Sequence, residues 1–420
     1  MSPTPPETIP SARELLKQPD FLLFWAARWA GASGAQIQSV ALGWQMYAIA
    51  RRTMSVAESA FLVGMIGLAS FLPVLLLTLP AGEAVDRYDR RKVALACLTG
   101  EIATVFVLTI AAWRDFATPP LLLGVAAAFG ASRAFYAPAS SAMGPMLVPR
   151  ELLPRSIAWN ALAWQTASIT GPAIAGVLVA ISPAHAFVTA LGLYAAAAVC
   201  IAAIRRNTKP QVQPGSRWRL MKEGLAYVWR EKVIFGAISL DLFAVLLGGA
   251  TALLPVFARD VLHVGPEGFG LLRAGPAIGA TACALLLAAN PIRSRAGTYM
   301  FGGVALFGLA TCVFAVSKSL WLSVAALAVL GGADMLSVYV RQTLVQLVTP
   351  DPVRGRVSAV NMVFVGASNE LGEFRAGMMA SAVGTVPAVV FGGVGAMGVA
   401  LLWARLFPEL RKVRHLSGRG

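Results

Sequence analysis

The sequence predicts an all-α integral membrane protein whose twelve transmembrane helices form two pseudo-symmetric six-helix bundles. Three observations lead there. Of the 420 residues, 57% are hydrophobic and only 13% are charged, whereas ordinary soluble domains carry about 25% charged residues. The apolar residues fall in long runs, and roughly 20 in a row suffice to cross about 30 Å of hydrocarbon as a helix. The second half also echoes the first. Leu147-Val148 through Asn160 resembles Leu347-Val348 through Asn361, and the same shift of 201 positions pairs Gly171 with Gly372 and Gly176 with Gly377.

The predicted spans are, in order, Phe21–Ala50, Val56–Leu79, Val93–Trp113, Leu121–Ala142, Ile157–Ile181 and Ala186–Ile204, then Val233–Phe257, Phe269–Ala289, Met300–Val316, Leu320–Leu344, Val357–Val383 and Ala388–Leu406. Prolines inside them, such as Pro73 and Pro172, are compatible with helix because neighbouring helices satisfy the freed carbonyls. The division that follows is an N-terminal tail (1–20), a first bundle (21–204), a basic linker (205–232), a second bundle (233–406) and a C-terminal tail (407–420). The first 20 residues are polar and proline-rich, without the apolar core of a signal peptide, so the first run is expected to stay as a helix.

Orientation follows from the basic residues. On this reading 26 of the 35 lysines and arginines, Arg341 among them, sit on the side of the termini. The opposite loops hold 5, namely Arg51, Arg52, Arg114, Arg259 and Lys318. That bias predicts both termini in the cytoplasm and a multi-pass protein of the cytoplasmic (inner) membrane. The net charge of +15 is thus a topology signal rather than a nucleic-acid surface. The stretch from Trp218 to Trp229 alternates aromatic and basic residues and is expected to lie as an amphipathic helix on the bilayer surface. Cys97, Cys200, Cys283 and Cys312 are scattered through apolar runs, and the three histidines are dispersed, so neither a metal nor another cofactor is expected.

The loop after the second helix reads Gly82-Glu-Ala-Val-Asp86-Arg87-Tyr-Asp89-Arg90-Arg91-Lys92. It resembles the G-x-x-x-D-R-x-x-R-R loop of the major facilitator superfamily, departing at Asp89, where that family usually has glycine. The resemblance implies a latch on the cytoplasmic side built from Gly82, Asp86 and Arg90. Gly171-Pro172-Ala-Ile-Ala-Gly176 on the fifth helix is similar to a glycine–proline motif of the superfamily's exporter branches, which implies a gating role for Gly171 and Pro172. The fourth helix carries Arg133 in Ser-Arg-Ala-Phe-Tyr136-Ala137-Pro138, close to the family's buried-arginine motif but with Tyr136-Ala137 for Gln-Gly. The stretch from Arg133 to Asn160, together with Gly355-Arg356-Val357-Ser358 and Gly366 to Phe374, resembles the enterobactin-exporter and drug-exporter branch. It implies proton-coupled export of a small siderophore- or drug-like solute by alternating access.

Charges within spans are costly and mark functional candidates. The acids are Glu101, Asp241, Asp334, Glu370 and Glu373, and the arginines Arg28, Arg133, Arg273 and Arg375. Glu370 and Glu373, three apart, share a helix face. Asp334, Glu370, Glu373, Asp241, Arg133 and Arg28 are the candidates for proton coupling or substrate binding, with Gln36, Asn160, Gln165 and Asn361 lining a polar cavity. Glu101 and Arg273 read as structural. The competing view is that acids and arginines pair and lock helices together. An importer of the same fold and a non-transporting sensor or scaffold are the rival functions. An enzyme is disfavoured because no nucleophile–base pair, phosphate loop or metal cluster is apparent. With both halves in one chain, a monomer is expected.

Overall fold

The computed structural model describes residues 12–209, 217–292 and 295–411. Residues 1–11 and 412–420 of the tails, Pro210, Pro214 and Gly215 of the linker, and Arg293 lie outside the described residues. Twelve long helices follow one another: α1 (Pro19–Ala50), α2 (Val56–Arg87), α3 (Arg90–Trp113), α4 (Pro119–Met143), α5 (Leu153–Ile181), α6 (Pro183–Ala203), α7 (Lys232–Gly248), α8 (Pro266–Ala289), α9 (Ala296–Val316), α10 (Leu320–Val348), α11 (Asp351–Val383) and α12 (Thr385–Leu406). A linker helix, Arg217–Arg230, separates α6 from α7.

Ten of the long helices are apolar enough to cross a membrane by length and composition alone. The two that are not, α1 and α11, carry polar groups along their middle: Arg28, Gln36, Gln38 and Gln45 on α1, and Asn361, Asn369, Glu370, Glu373 and Arg375 on α11. Several helices outrun the predicted spans. α2 continues to Arg87 and α11 starts at Asp351. At 32 and 33 residues, each rises about 48 Å, well past about 30 Å of hydrocarbon. Hydropathy marks the lipid-immersed part, whereas a helix runs until its backbone is capped. At the start of α2, Ser55 and Glu58 cap reciprocally, the Ser55 N–H donating to Glu58 Oε2 at 2.9 Å.

The seventh span is not one helix. α7 stops at Gly248, and the chain continues through short helical turns to Val261, the last of them wide (Phe257–Val261). Gly248-Gly249 weakens helix here. Gly249 also lies so close to α11 that a Cβ would come within 2.7 Å of the Gly372 carbonyl.

Packing within the halves repeats. α1 packs on α5 and α6, α2 on α4, and α3 on α4 and α6; α7 packs on α11 and α12, α8 on α10, and α9 on α10 and α12. Each pair in the first half thus has its counterpart in the second. The halves meet along two further equivalent pairs, α2 with α11 and α5 with α8. Both cross at glycines: a Cβ on Gly64 would lie 2.8 Å from the Gly377 Cα, and one on Gly176 would lie 2.9 Å from the Gly270 Cα. Gly176 and Gly377 are the residues that the sequence repeat matches. These crossings lie toward the side opposite the described chain ends, called here the far side; the other is the terminal side.

The linker helix is amphipathic, and part of its apolar face meets protein. Val228 is buried in a cluster with Ile234, Ile238, Val345, Val357 and Val360. Glu223 pairs with Arg356 on α11 at 2.5 Å. Trp229 and Leu225 remain exposed for contact with a bilayer.

Candidate functional site

The intramembrane charges sort into a seam between the halves, a sealed cluster in the second half, and arginines that finish the backbone of α7. At the seam, Arg133 on α4 reaches Glu370 on α11, Nη1 to Oε1 at 3.4 Å. Its side chain is 50% exposed and that of Glu370 21%, so the pair is not sealed inside either half. Phe129 lies one turn before Arg133, its ring 5.8 Å from the guanidinium. The absence of a side chain on Gly67 of α2 lets α11 press in, since a Cβ there would stand 2.9 Å from the Glu370 carbonyl oxygen and 3.0 Å from the Glu373 Cβ. Glu370 therefore turns toward Arg133 while Glu373 packs on α2. Glu101 on α3 is 4% exposed, with Arg133, Tyr136 and Tyr194 as electrostatic neighbours.

The sealed cluster is built on α7, α10 and α11. Arg341 Nη1 donates to Asp241 Oδ2 at 2.5 Å and to Asn361 Oδ1 at 3.4 Å. The side chains of Arg341 and Asp241 are only 3% and 6% exposed. Asp334, two turns before Arg341 on α10, faces the same small cavity as Asp241 and Ser337, within electrostatic reach of Arg341. Arg341 corrects the sequence reading, which counted it among the loop charges, so the bias of basic residues loses one member. Asn361 is corrected too: it is 3% exposed and belongs to this cluster rather than lining an open cavity. A signal for Arg341 was present, because it falls inside a predicted span and seven positions after Asp334, on the same helix face.

Among the described residues Arg375 and Arg273 form no salt bridge with the acids, although Arg273 is an electrostatic neighbour of Glu370. Arg375 donates from Nε to the Leu246 carbonyl at 2.9 Å and from Nη2 to that of Leu247 at 2.5 Å. Arg273 donates to the Thr251 carbonyl at 3.3 Å. These carbonyls lie at the break after α7, where helix termination strips them of intrahelical partners. Arg28 donates to Ser140 Oγ at 3.4 Å and stands 5.9 Å above the Phe24 ring. Among the described residues no carboxylate faces it closely enough to form a salt bridge.

The other candidates are mostly helix contacts. Gln36 donates to Ser168 Oγ at 3.4 Å, and Gly171 makes room for it, since a Cβ would meet Gln36 Cβ at 2.6 Å. Pro172 turns its carbonyl toward Gly270 of α8. Gln165 joins the halves, donating to the Ala277 carbonyl at 2.9 Å and to Thr281 Oγ1 at 2.5 Å. Asn160 lies near Gly144 at the end of α4. In the loop after α2, Gly82 is buried, and Arg90 donates to the Ala142 carbonyl at 3.1 Å. The latch arginine is therefore held within its own half in this conformation.

On the far side a second connection, unforeseen in the sequence, ties α1 to the other half. The Tyr47 hydroxyl donates to Asp260 Oδ2, Arg51 lies 3.8 Å from Asp260 Oδ1, and Trp44 stacks on Phe269 with centroids 5.6 Å apart. Together with the glycine crossings this closes the far side. Among the described residues no group of three or more metal-ligating side chains exists.

Two six-helix halves related by a parallel repeat, closed on one side around a charged seam, define a secondary transporter of the major facilitator superfamily. The chain belongs to that superfamily's transmembrane secretion effector family, which it matches over residues 11–416. It is 28% identical over 384 residues to the multidrug efflux pump Tap of Mycobacterium tuberculosis, covering 87% of this chain and 88% of that one. It is 27% identical over 426 residues to the enterobactin exporter EntS of Citrobacter koseri, covering 96% and 95%. The crystal structure of a bacterial homolog to the human lysosomal transporter Spinster, inward-facing and unoccupied, superposes with a TM-score of 0.74 at 14% identity, covering 94% and 98%. The protein is a multi-pass membrane transporter and not an enzyme.

Proposed function

We propose that this protein exports a small siderophore- or drug-like organic solute in exchange for protons, as a monomer with both termini in the cytoplasm. The observation that carries the proton assignment is the Asp241–Asp334–Arg341 cluster. Two carboxylates facing one guanidinium in a dry interior are electrically balanced only when one of them holds a proton, because an unpaired charge there is expensive. Release of that proton requires the cluster to meet water, and rocking of the halves supplies the occasion. The exposed Arg133–Glu370 pair spans the seam that such rocking must open. With the terminal side cytoplasmic, the closed far side is the one away from the cytoplasm, the arrangement that suits uptake of cargo from the cytoplasm. The similarity to a multidrug efflux pump and an enterobactin exporter supports an outward direction and a siderophore- or drug-like solute.

The test starts with a deletion strain screened against dyes, antibiotics and siderophore-loading conditions, followed by everted vesicles carrying the compound identified. An imposed pH gradient is expected to drive accumulation in everted vesicles and not in right-side-out ones. Asp334→Asn and Asp241→Asn are each expected to abolish the gradient dependence while leaving solute exchange. Full gradient-driven transport in both variants would remove the proton role of the cluster. Accumulation only in right-side-out vesicles would make the protein an importer.

A further inference from the structure

Beyond the transport reading, we propose that a recess at the corner between α2 and α3 binds the headgroup of an anionic phospholipid. The recess has a volume of about 520 Å³. Its polar rim carries Arg87, Lys92 and Lys209, with Asp89 as the one acid, and its floor is formed by Val93 and Ala96. Asp89 is already engaged: it accepts the Thr208 hydroxyl and, at 3.0 Å, the Arg91 N–H. Arg91 points inward to the Ile204 carbonyl. Arg87 is exposed beside Glu83 at 3.2 Å. Among the described residues neither Lys92 nor Lys209 meets a carboxylate within salt-bridge distance, so the recess presents cationic groups around an occupied acid.

The chemistry of the rim fits a phosphate group, and the floor distinguishes a lipid from a soluble anion. Val93 and Ala96 lie three apart on one face of α3, where the helix enters its apolar run, so the recess continues from a basic rim onto a hydrocarbon-facing wall. Tyr88, exposed at the same level, supplies the amphipathic ring common at the headgroup depth of membranes. Basic pockets between membrane helices suit anionic headgroups. Asp89, the departure from the family loop, is the positioning residue. By holding Thr208 it brings Lys209, more than one hundred residues away in sequence, to the rim.

The experiment uses the full chain purified in neutral detergent and titrated with phosphatidylglycerol, phosphatidylcholine or inorganic phosphate, read by native mass spectrometry and thermal unfolding. Phosphatidylglycerol is expected to bind and stabilise. Lys92→Gln and Lys209→Gln should each weaken binding about fivefold, and the pair about 25-fold, the loss expected for basic side chains beside an anionic leaflet. Lys92→Arg with Lys209→Arg should retain binding, which separates charge from misfolding, and Asp89→Gly should match Lys209→Gln. Arg114→Gln on the far side should change nothing. The proposal is overturned if the double glutamine variant binds phosphatidylglycerol like the wild type. It is equally overturned if phosphatidylcholine binds as well, or if inorganic phosphate alone gives the same lysine-dependent stabilisation, which would make the recess a soluble-anion site.

Discussion

The two halves share a scheme of helix pairing but not a scheme of charges. The shift that pairs Asn160 with Asn361 sets Arg133 opposite Asp334. In the first half the arginine faces the seam and finds its carboxylate across it, on Glu370. In the second half the equivalent position is the acid, and the arginine two turns later turns inward to Asp241. Backbone packing is held in common because α2–α11 and α5–α8 both need glycine where they cross. A charge has no such symmetry requirement; it needs only a partner. One ion pair therefore lies where rigid-body movement can break it, and the other where movement of the halves leaves it whole.

This comparison is sharpened first by removing each cation. Arg341→Met leaves buried acids without their guanidinium and is expected to lower stability by about 3–5 kcal/mol, read as a lowered unfolding midpoint in detergent. Arg133→Met removes a half-exposed pair and should cost at most about 1 kcal/mol while impairing transport. If Arg133→Met proved the more destabilising, the assignment of one pair to stability and the other to movement would be reversed.

The arginines at the α7 break come next. Arg375→Met frees two carbonyls and should cost about 3 kcal/mol, and Arg273→Met, freeing one, about 1.5 kcal/mol, at the scale of hydrogen bonds from charged donors. Equal losses would argue against a capping role for Arg375. At the crossings, Gly64→Val and Gly176→Val should each disfavour the far-side-closed form by about 1–3 kcal/mol through overpacking. Spin labels on Met54→Cys and His263→Cys should report a longer distance in both variants, and a change in only one would break the equivalence of the two seams. A smaller effect is expected at Asn361. Its loss removes one hydrogen bond to Arg341, about 1 kcal/mol, and Asn160→Ala, outside any such cluster, should fall below that on the same unfolding assay.

Much of the site was legible in the sequence as a set of residues, and little of it as a set of partners. Asp241, Asp334, Glu370 and Arg133 stand out because lipid tolerates charge poorly. Arg341 was lost to the topology count, because a basic residue near a helix end reads the same whether it faces water or a buried acid. Arg375 looked like a counter-ion for the acids, and Arg273 like a structural residue. Their true partners are carbonyls, which every residue carries and no sequence distinguishes. Tyr47 and Asp260 were missed for a related reason: each lies near a helix end, where a polar residue is unremarkable.

By itself, the sequence determined the solvent this chain folds in, the number and order of its helices and the duplication of its halves. Hydrophobic run length and small-residue spacing are local quantities, and a bilayer reads them locally. The tertiary structure decided which cation meets which acid, which side is closed, and that Asp89 draws the linker against α3. Those outcomes depend on contacts between residues roughly one hundred or more positions apart, set by how pairs of helices cross, and the pairing energy of a charge exists only once its partner is in place.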